Sequence, residues 1–288
     1  MSHEVRSKLK IAVGQVAPTL GNVQANLAAH LEQIDAARAA GAELIVFPEL
    51  SLTGYFLRDM VPDVAQARDS PIVRRLIDAA GDAALVFGFV EESPQHRFYN
   101  AAAYCEAGEL RYVHRKVYLP TYGMFDEQRY FAAGERIAAF ETRFGRVGLL
   151  ICEDFWHLSC ATIMGAEDVN YLICPSNSPG RGVRGEHLAS SETWRLLNRC
   201  YSRMLGCTVV YANRAGYEDG VAFWGGSEVI GPGGDVIAQS PELEPHLLVA
   251  EFDPAEIRRA RIFAPLARDE KLLLTISELQ RIKGERYE

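Results

Sequence analysis

The centre of the chain runs Arg146-Val147-Gly148-Leu149-Leu150-Ile151-Cys152-Glu153-Asp154-Phe155-Trp156. An apolar run typical of a buried strand ends abruptly at a cysteine, and two carboxylates follow it. Because the charges of Glu153 and Asp154 cannot continue a buried strand, the backbone must emerge from the sheet at this point. A buried cysteine is most often a small hydrophobic residue, but its position at a strand end makes Cys152 a candidate nucleophile.

Two other apolar segments end in a charged side chain in the same way. A carboxylate ends the segment Glu43-Leu44-Ile45-Val46-Phe47-Pro48-Glu49, and an ammonium ends the segment Leu110-Arg111-Tyr112-Val113-His114-Arg115-Lys116. Taken separately, Glu49 and Lys116 are typical of solvated strand ends. With Cys152 they form a candidate base, cation and nucleophile, because a thiol needs a base and a nearby ammonium stabilises both a thiolate and an oxyanion.

Hydrophobic periodicity predicts an alternation of strands and helices along the whole chain. Single strands are predicted at residues 10–17, 43–47, 84–91, 137–141, 146–151, 170–174, 208–213 and 246–252. Hairpins are predicted where strand 101–105 meets 110–118 and where 227–230 meets 236–239, and helices at 22–40, 71–80, 186–206 and 254–261. Because hairpins occur beside the alternating units, the pattern favours a layered α/β fold with mixed sheets in one domain.

Composition excludes several classes of protein. The 288 residues are 48% hydrophobic and 24% charged, with a formal net charge of -8, so no basic surface for nucleic acid is expected. The polar start of the chain does not resemble a secretory signal and no apolar run is long enough to span a bilayer, so we expect a cytoplasmic protein without a membrane partner. The six cysteines lack a CxxC pair, so free thiols are expected rather than disulfides, and no metal site is expected at His157, Cys160 and Cys152.

Three motifs around these strand ends resemble those of the nitrilase superfamily of carbon-nitrogen hydrolases. They are Phe47-Pro48-Glu49-Leu50-Ser51-Leu52-Thr53-Gly54-Tyr55, His114-Arg115-Lys116-Val117-Tyr118-Leu119-Pro120 and Leu150-Ile151-Cys152-Glu153-Asp154. The similarity extends over residues 10–262 and leaves residues 263–288 as a C-terminal extension of a single domain, 1–288. The resemblance implies a four-layer α-β-β-α sandwich that forms a homodimer or a higher homo-oligomer.

Within that superfamily, residues 119–131 and 152–156 look most like the glutaminase domain of glutamine-dependent NAD synthetases. The sequence lacks the Ser-Gly-Gly phosphate loop of their ATP-pyrophosphatase module, so we do not expect it to make NAD by itself. Residues 156–169 depart from the glutaminase pattern. The substrate therefore cannot be transferred from that subgroup.

The resemblance implies a role for each site residue. Glu49 is the general base, Cys152 is the nucleophile, and Lys116 stabilises the tetrahedral intermediate. Glu127 matches a second glutamate that orients the lysine and the substrate, and the backbone N–H of Glu153 completes the oxyanion hole. Substrate contacts are expected at five positions, Tyr55, Tyr122, Glu153, Phe155 and Ser178.

The expected reaction is hydrolysis of a small carboxamide through a thioester, with release of ammonia or an amine and without a metal or organic cofactor. Nitriles are disfavoured because Glu153 stands where nitrilases generally have tryptophan. Arg181 and Arg184 either bind a substrate carboxylate or are solvated loop charges. The alternatives are an ammonia-supplying subunit for a separate synthetase, an N-carbamoyl amino acid amidohydrolase, and a non-catalytic homologue, which the intact triad argues against.

Overall fold

The strands and helices follow one another along residues 8–184 and 187–287, the part of the chain that the computed structural model describes. Its strands are β1 (Leu9–Gln15), β2 (Leu44–Val46), β3 (Ala84–Glu92), β4 (Phe98–Glu106), β5 (Glu109–Arg115), β6 (Ala139–Thr142), β7 (Gly145–Leu149), β8 (Tyr171–Ser176), β9 (Val183–Arg184), β10 (His187–Leu188), β11 (Thr208–Asn213), β12 (Ala215–Glu218), β13 (Val221–Trp224), β14 (Glu228–Ile230), β15 (Val236–Gln239) and β16 (His246–Phe252). Its α-helices are α1 (Val23–Ala39), α2 (Val61–Val64), α3 (Pro71–Ala80), α4 (Leu158–Ala166), α5 (Ala189–Leu205), α6 (Ala255–Phe263), α7 (Leu266–Asp269) and α8 (Leu272–Tyr287). Short 3-10 turns occupy Arg58–Met60, Glu127–Arg129 and Cys152–Trp156.

In this part of the chain, two six-stranded sheets have the same arrangement of parallel and antiparallel strands. The first sheet has the order β16-β1-β2-β3-β4-β5 and the second has the order β15-β14-β11-β8-β7-β6. Each has three parallel strands at its centre, β1-β2-β3 and β11-β8-β7, and antiparallel strands on both sides. The predicted mixed sheets and both predicted hairpins are therefore confirmed.

The two sheets face each other across one apolar core. Val13, Val46 and Val86 from the first sheet pack in the same cluster as Ile173 and Val209 from the second sheet. The other face of the first sheet packs on α1 and α3, and α4 and α5 cover the second sheet. The fold is therefore the four-layer α-β-β-α sandwich that the motifs implied.

The helix ends carry the signals that the sequence shows. Ser70 caps α3 by accepting a hydrogen bond from the Val73 N–H at 3.3 Å, and Pro71 fills the first turn, where no N–H partner is needed. The buried face of α3 then follows helical spacing, with Val73, Leu76, Ile77 and Ala80. Gly206 ends α5 in the left-handed conformation, with φ at 57°.

Several boundaries differ from those predicted. Helix α5 begins at Ala189 rather than at residue 186, because β10 precedes it, and Glu186 lies outside the described residues. The strand predicted at 137–141 is displaced to Ala139–Thr142. Helix α4 and the hairpin of β12 and β13 were not predicted. Helix α4 has little amphipathic pattern, and the hairpin strands are only four residues long.

Beyond residue 262, the chain forms α7 and α8 in the described region. Leu273, Leu274 and Leu279 on α8 are exposed apolar side chains, as is Phe263 at the end of α6. Among the described helices, none combines the length and the apolar character that crossing a bilayer requires.

Helix α1 supports the segment that follows β2 through a buried histidine. His30 Nδ1 lies 2.7 Å from the Asn26 carbonyl oxygen, and His30 Nε2 lies 2.9 Å from Ser51 Oγ. The carbonyl fixes the proton on Nδ1, so Nε2 accepts from the serine hydroxyl. The imidazole also packs on Phe47, with 4.2 Å between ring centroids. Burial lowers the pKa of His30 to about 4 from its ordinary 6.5.

This shift predicts an acid-sensitive fold. The folded-state pKa of His30 is depressed, so the unfolded chain binds the proton first as the pH falls, and stability is lost between about pH 6.5 and 4. When the pH is lowered from about 7.5 to 5, the free energy of unfolding of the wild type should fall by ~2 kcal/mol more than that of His30→Gln. Urea denaturation at the two pH values measures the difference. His96→Gln, at an exposed hairpin position, is the matched control, and equal pH slopes for wild type and His30→Gln would contradict the assignment.

Candidate active site

Three predicted site residues lie at strand ends and are buried together. Glu49 follows β2, Lys116 follows β5 directly, and Cys152 follows β7 after two further residues. Glu49 and Lys116 are each 1% exposed and Cys152 is 8% exposed. Lys116 Nζ lies 2.7 Å from Glu49 Oε1 and 2.7 Å from Glu127 Oε1. The structure thus brings four chemically active side chains into one buried cluster.

Every oxygen of the Glu49 carboxylate has a donor. Oε1 accepts from Lys116 Nζ and from Asn100 Nδ2, both at 2.7 Å, and Oε2 accepts from the Asn177 N–H at 2.8 Å. These donors come from β4, from the end of β5 and from the segment after β8. The position of Glu49 is therefore fixed from both sheets.

The backbone of the turn around Glu49 packs directly against the backbone of β3. The adjacent Leu50 has a left-handed backbone, with φ at 44°. A Cβ atom at Gly88 would lie 2.4 Å from both the Pro48 carbonyl oxygen and the Leu50 nitrogen. Only glycine at position 88 lets β3 back this turn directly.

Glu127 is the second carboxylate on the lysine. Its Oε1 accepts from Lys116 Nζ at 2.7 Å and from the Tyr55 hydroxyl at 2.6 Å. Burial raises the pKa of Glu127 to about 7, and the charge of Glu49 adds to the rise while Lys116 opposes it. The raised pKa of Glu127 shows that its negative charge depends on the neighbouring Lys116 ammonium.

Lys116 remains an ammonium ion in this setting. Burial by itself would lower the pKa of Lys116, but the charges of Glu127 and Glu49 outweigh burial and raise it well above 10.5. A buried cation with two carboxylate partners is the arrangement in which an ion can stay charged away from water.

Cys152 occupies the first position of a sharp turn. Its backbone is left-handed, with φ at 45°, and Ser176 Oγ lies 3.3 Å from its Sγ. Burial raises the pKa of Cys152 well above 9, the charge of Glu49 raises it further, and Lys116 lowers it. The resting cysteine is therefore a thiol, which needs a base before it can attack.

Two consecutive residues, Ser176 at the end of β8 and Asn177 directly after it, connect Cys152 to Glu49. Ser176 contacts Cys152 Sγ, and the next N–H, that of Asn177, binds Glu49 Oε2. This short segment sets the spacing between the thiol and the carboxylate.

Asp154 joins the cysteine turn to the lysine segment. Its two oxygens accept four hydrogen bonds, at Oδ1 from Val117 N–H (3.0 Å) and Tyr118 N–H (2.9 Å), and at Oδ2 from Ile151 N–H (3.1 Å) and His114 Nε2 (2.8 Å). The carboxylate is fully buried. Asp154 therefore links the backbone after Lys116 and the His114 side chain to the residue before Cys152.

A buried ion pair supports the loop that carries Tyr55. Glu218 Oε1 accepts from the Tyr55 N–H and the Phe56 N–H, each at 2.8 Å, and Glu218 Oε2 pairs with Arg214 Nη1 at 2.5 Å. The guanidinium of Arg214 stacks over Phe223, 4.2 Å from the ring centroid. The hairpin of β12 and β13 thereby positions the partner of Glu127.

A pocket of about 250 Å³ opens beside Cys152. Tyr122, Glu153 and Ser178, which were predicted substrate contacts, all line it, and Arg181 lines it as well. Tyr122 is 55% exposed, and its hydroxyl donates to Glu153 Oε2 at 2.8 Å. Ser178 Oγ accepts from Trp194 Nε1 at 2.7 Å. The side chain of Arg184, the other arginine considered, lies outside the described part of the chain.

Two predicted substrate contacts do not face this pocket. Phe155 is fully buried and packs on Trp194 and Tyr201, with ring centroids 5.9 and 4.8 Å away. Tyr55 is buried on the far side of Glu127 and lines a separate cavity of about 230 Å³. The 3-10 turn directs Phe155 inward, and the Tyr55 hydroxyl donates to Glu127.

From the sequence alone, no catalytic or substrate-binding role was assigned to Asn100, Asp154, Ser176 and Asn177. Asp154 had a visible signal, since it is a charged residue two positions after the cysteine, but the other three are ordinary polar residues. Their partners are distant in sequence, so only the tertiary structure shows their contacts. Within residues 8–184 and 187–287, no group of three or more histidine, cysteine or acidic residues is arranged to hold a metal ion.

Comparison with known proteins gives a family-level match. The sequence model of a family described as carbon-nitrogen hydrolase matches residues 10–262. The glutamine-dependent NAD(+) synthetase of Acinetobacter baylyi is 32% identical over 255 residues, which cover 88% of this chain and 46% of that protein. The chain thus spans about half the length of the curated relatives it matches first.

Solved structures agree with that match. Glutamine-dependent NAD+ synthetase from Acinetobacter baumannii in complex with ADP aligns with a TM-score of 0.76 at 30% identity, over 85% of this chain and 46% of that one. A glutamate-to-glutamine mutant of the amidase from Nesterenkonia sp. AN1 aligns with a TM-score of 0.79 at 25% identity, over 96% of this chain and 99% of that one. That structure shows covalent addition of the acetamide moiety of fluoroacetamide at the active-site cysteine.

The hydrogen bonds of Asp154 generate a prediction. In Asp154→Asn, the amide has one acceptor oxygen where the carboxylate has two, and its NH₂ faces buried N–H donors. We expect a loss of ~2–4 kcal/mol in the free energy of unfolding, measured by urea denaturation. Glu141→Gln is the matched control, because Glu141 is an exposed carboxylate in a surface ion pair with Arg146. An Asp154→Asn variant as stable as the control would refute the connecting role of Asp154.

Proposed function

The chain belongs to the carbon-nitrogen hydrolase family, and from that premise we propose that it hydrolyses a small carboxamide through a thioester on Cys152. The family match confirms the resemblance that the three sequence motifs indicated. The observation that carries the proposal is the buried Lys116 ammonium, which is shared by Glu49 and Glu127 beside the cysteine.

The first step is attack on the amide carbonyl. Because the resting cysteine is a thiol, Glu49 takes its proton as Sγ forms a bond to the carbonyl carbon. The carbonyl oxygen then carries the negative charge of a tetrahedral intermediate. The Lys116 ammonium and the N–H of Glu153 stabilise that charge, and one such donor is typically worth ~3 kcal/mol in the transition state.

Collapse of the intermediate breaks the carbon-nitrogen bond. Glu49, now protonated, gives its proton to the leaving nitrogen, so ammonia or an amine departs and a thioester remains on Cys152. A water molecule then attacks the thioester while Glu49 accepts a proton from it. The carboxylic acid leaves, the thiol takes back its proton, and the site returns to its starting state.

Glu127 keeps the lysine in place during this cycle. It shares Lys116 with Glu49, so the ammonium retains one partner while Glu49 is protonated. The Tyr55 hydroxyl anchors the same Glu127 oxygen. Glu127 thus positions the lysine, and its own chemistry is not required for bond breaking.

The Nesterenkonia amidase supports the choice of nucleophile. Its active-site cysteine carries a covalent acetamide moiety in a protein that aligns along 96% of this chain. A cysteine that is alkylated by an amide analogue is the type of residue proposed here for Cys152.

The relatives favour a second candidate, glutamine as the amide and a synthetase as the consumer of the ammonia. Their printed name is glutamine-dependent NAD(+) synthetase, and they match this chain over 46% of their length. In this version, glutamine hydrolysis rises when an ammonia-using synthetase is added. An N-carbamoyl amino acid would instead give carbon dioxide, ammonia and the free amino acid. The products therefore distinguish it from glutamine, which gives glutamate and ammonia, and from another carboxamide, which gives its own acid and ammonia.

We further propose that the protein acts as a homodimer or a higher homo-oligomer in a reducing compartment such as the cytoplasm. Exposed apolar side chains on the outer helices support self-association: Leu158 on α4 and Leu196 and Met204 on α5 are exposed, and Leu196 is 69% exposed. The free thiols of the described cysteines support a reducing compartment.

The oligomer is tested by a charge on the exposed face of α5. Leu196→Asp should lower the mass in sedimentation equilibrium to that of a monomer, because a buried aspartate would lack a partner. Leu273→Asp on α8 is the comparison, since it also replaces an exposed leucine. A monomeric wild type, or an unchanged mass for Leu196→Asp, would exclude this surface.

The reaction is tested with Cys152→Ala. Ammonia release is measured with glutamine, asparagine, short aliphatic amides, ω-amides and N-carbamoyl amino acids. Any amide that the wild type hydrolyses should lose at least about 1,000-fold in kcat with the variant, because the nucleophile is gone. Cys200→Ala, which removes an exposed thiol, is the control and should keep full activity.

Labelling gives an independent result. Fluoroacetamide should lose fluoride and add its acetamide moiety to one peptide, the one that contains Cys152, in Glu49→Gln and in the double variant Glu49→Gln/Cys200→Ala, because the Nesterenkonia amidase carries this adduct in a glutamate-to-glutamine mutant. Hydrolysis that persists in Cys152→Ala would remove the cysteine mechanism.

A further inference from the structure

Asn213, the last residue of β11, is fully buried and hydrogen-bonded at every polar group. Its side-chain Oδ1 accepts from the Ser178 N–H at 2.8 Å, and its Nδ2 donates to the Gly225 carbonyl oxygen at 2.9 Å. Its backbone N–H donates to Ser227 Oγ at 3.0 Å, and its carbonyl oxygen accepts from the same hydroxyl at 3.1 Å. The side-chain amide therefore has one fixed orientation, because a flip would place donor against donor and acceptor against acceptor.

Two contacts from the end of β11 hold the chain where it leaves β8. β11 runs parallel to β8, with Asn213 opposite Ser176. The Arg214 N–H donates to the Ser176 carbonyl oxygen at 3.2 Å, and Asn213 Oδ1 holds the N–H of Ser178 two residues later. The one residue between these two contacts is Asn177.

Asn177 carries the contact to the proposed base. Its N–H donates to Glu49 Oε2 at 2.8 Å, and the hydroxyl of the preceding Ser176 lies 3.3 Å from Cys152 Sγ. The side chain of Asn177 does not anchor the residue, since neither of its polar atoms makes a hydrogen bond to another described residue. The orientation of the Asn177 peptide group therefore depends on the contacts on either side of it.

A buried polar network connects Asn213 to the first sheet. The Ser227 N–H donates to Gln15 Oε1 at 2.9 Å, and Gln15 Nε2 donates to the carbonyl oxygens of Pro241 and Glu244 at 2.7 and 2.8 Å. Gln15 ends β1, which pairs with β2, the strand that leads to the proposed base. The network thus fixes the end of β11 relative to the sheet that carries the carboxylate.

We infer that Asn213 is a positioning residue that aligns the Asn177 N–H with the Glu49 carboxylate. This inference rests on the proposed amide hydrolysis. Asn213 acts through the Ser178 N–H, and it is not among the residues that line the pocket of Cys152. Because a displacement of about 1 Å at a reacting group can lower a rate by about 100-fold, a contact at this distance from the chemistry affects the reaction.

The kinetic test uses Asn213→Ala and Asn213→Asp. The alanine variant loses the acceptor for the Ser178 N–H, so kcat for any amide that the wild type hydrolyses should fall on the order of 10- to 100-fold. KM should change by less than about twofold, because the pocket itself is unaltered. The aspartate variant should recover most of kcat, since its protonated side chain accepts from Ser178 and donates to Gly225. If the alanine variant does not fold, Asn213→Ser replaces it, because its hydroxyl is too short to reach Ser178.

Asn198→Ala is the matched control. Asn198 on α5 is also a fully buried asparagine, and it donates to Glu228 Oε1 at 2.7 Å rather than to the chain after β8. Its removal should lower the free energy of unfolding, measured by urea denaturation, and leave kcat unchanged. If Asn198→Ala loses kcat as Asn213→Ala does, or if Asn213→Asp is no more active than Asn213→Ala, the effect is general destabilisation and the inference is overturned.

Crystal structures of the wild type and Asn213→Ala give a result that does not depend on a substrate. The distance from the Asn177 nitrogen to Glu49 Oε2 should increase beyond ~3.5 Å, the limit of a hydrogen bond. An unchanged distance, or a normal kcat for Asn213→Ala, would remove the positioning role and leave the amidase proposal standing. If the wild type hydrolyses no amide of the panel, the proposed reaction fails, and the measured distance still decides whether Asn213 aligns the two groups.

Discussion

The site depends on one ammonium ion that the fold removes from water. Burying a lysine costs several kcal/mol unless anions and hydrogen bonds compensate, and here Glu49 and Glu127 each lie 2.7 Å from Lys116 Nζ. The two carboxylates would repel each other without the cation, and the cation would lose its proton without them. The three charges therefore depend on one another. This explains why so many neighbouring contacts fix the positions of the side chains that carry them.

The supporting contacts come from both sheets and from the outer helices. Asn100 and Asn177 bind Glu49 from opposite sheets, and Asp154 links the lysine segment to the cysteine turn. Further out, His30 holds Ser51 and the Arg214–Glu218 pair holds the Tyr55 backbone. None of these groups needs to touch a substrate. They fix backbone segments whose ends carry Glu49, Lys116 and Cys152, and a shift of one segment would separate the charges.

Sequence reasoning located the strand ends well because the change from an apolar run to a charged residue is a local signal. It placed Glu49, Lys116 and Cys152 correctly at such ends and predicted the mixed sheets from hairpins among alternating strands. It could not distinguish pocket residues from core residues within one turn. Phe155 and Asp154 turn inward whereas Glu153 and Trp156 face the pocket, and that depends on a 3-10 turn with a left-handed cysteine.

The raised pKa of the thiol is compatible with catalysis because the proposed proton transfer creates no new charge in the cluster. A resting thiolate would add an anion to a site that already holds the Glu49 carboxylate, and burial opposes that. When Glu49 accepts the proton during attack, its negative charge disappears as the charge on the substrate oxygen forms. Before the proton transfer, Lys116 stabilises the Glu49 carboxylate as well as Glu127. After the transfer, it stabilises the oxyanion of the tetrahedral intermediate in place of the Glu49 carboxylate. The fold therefore needs to compensate the same net charge throughout, and the thiol is activated only when a carbonyl is present to receive the charge.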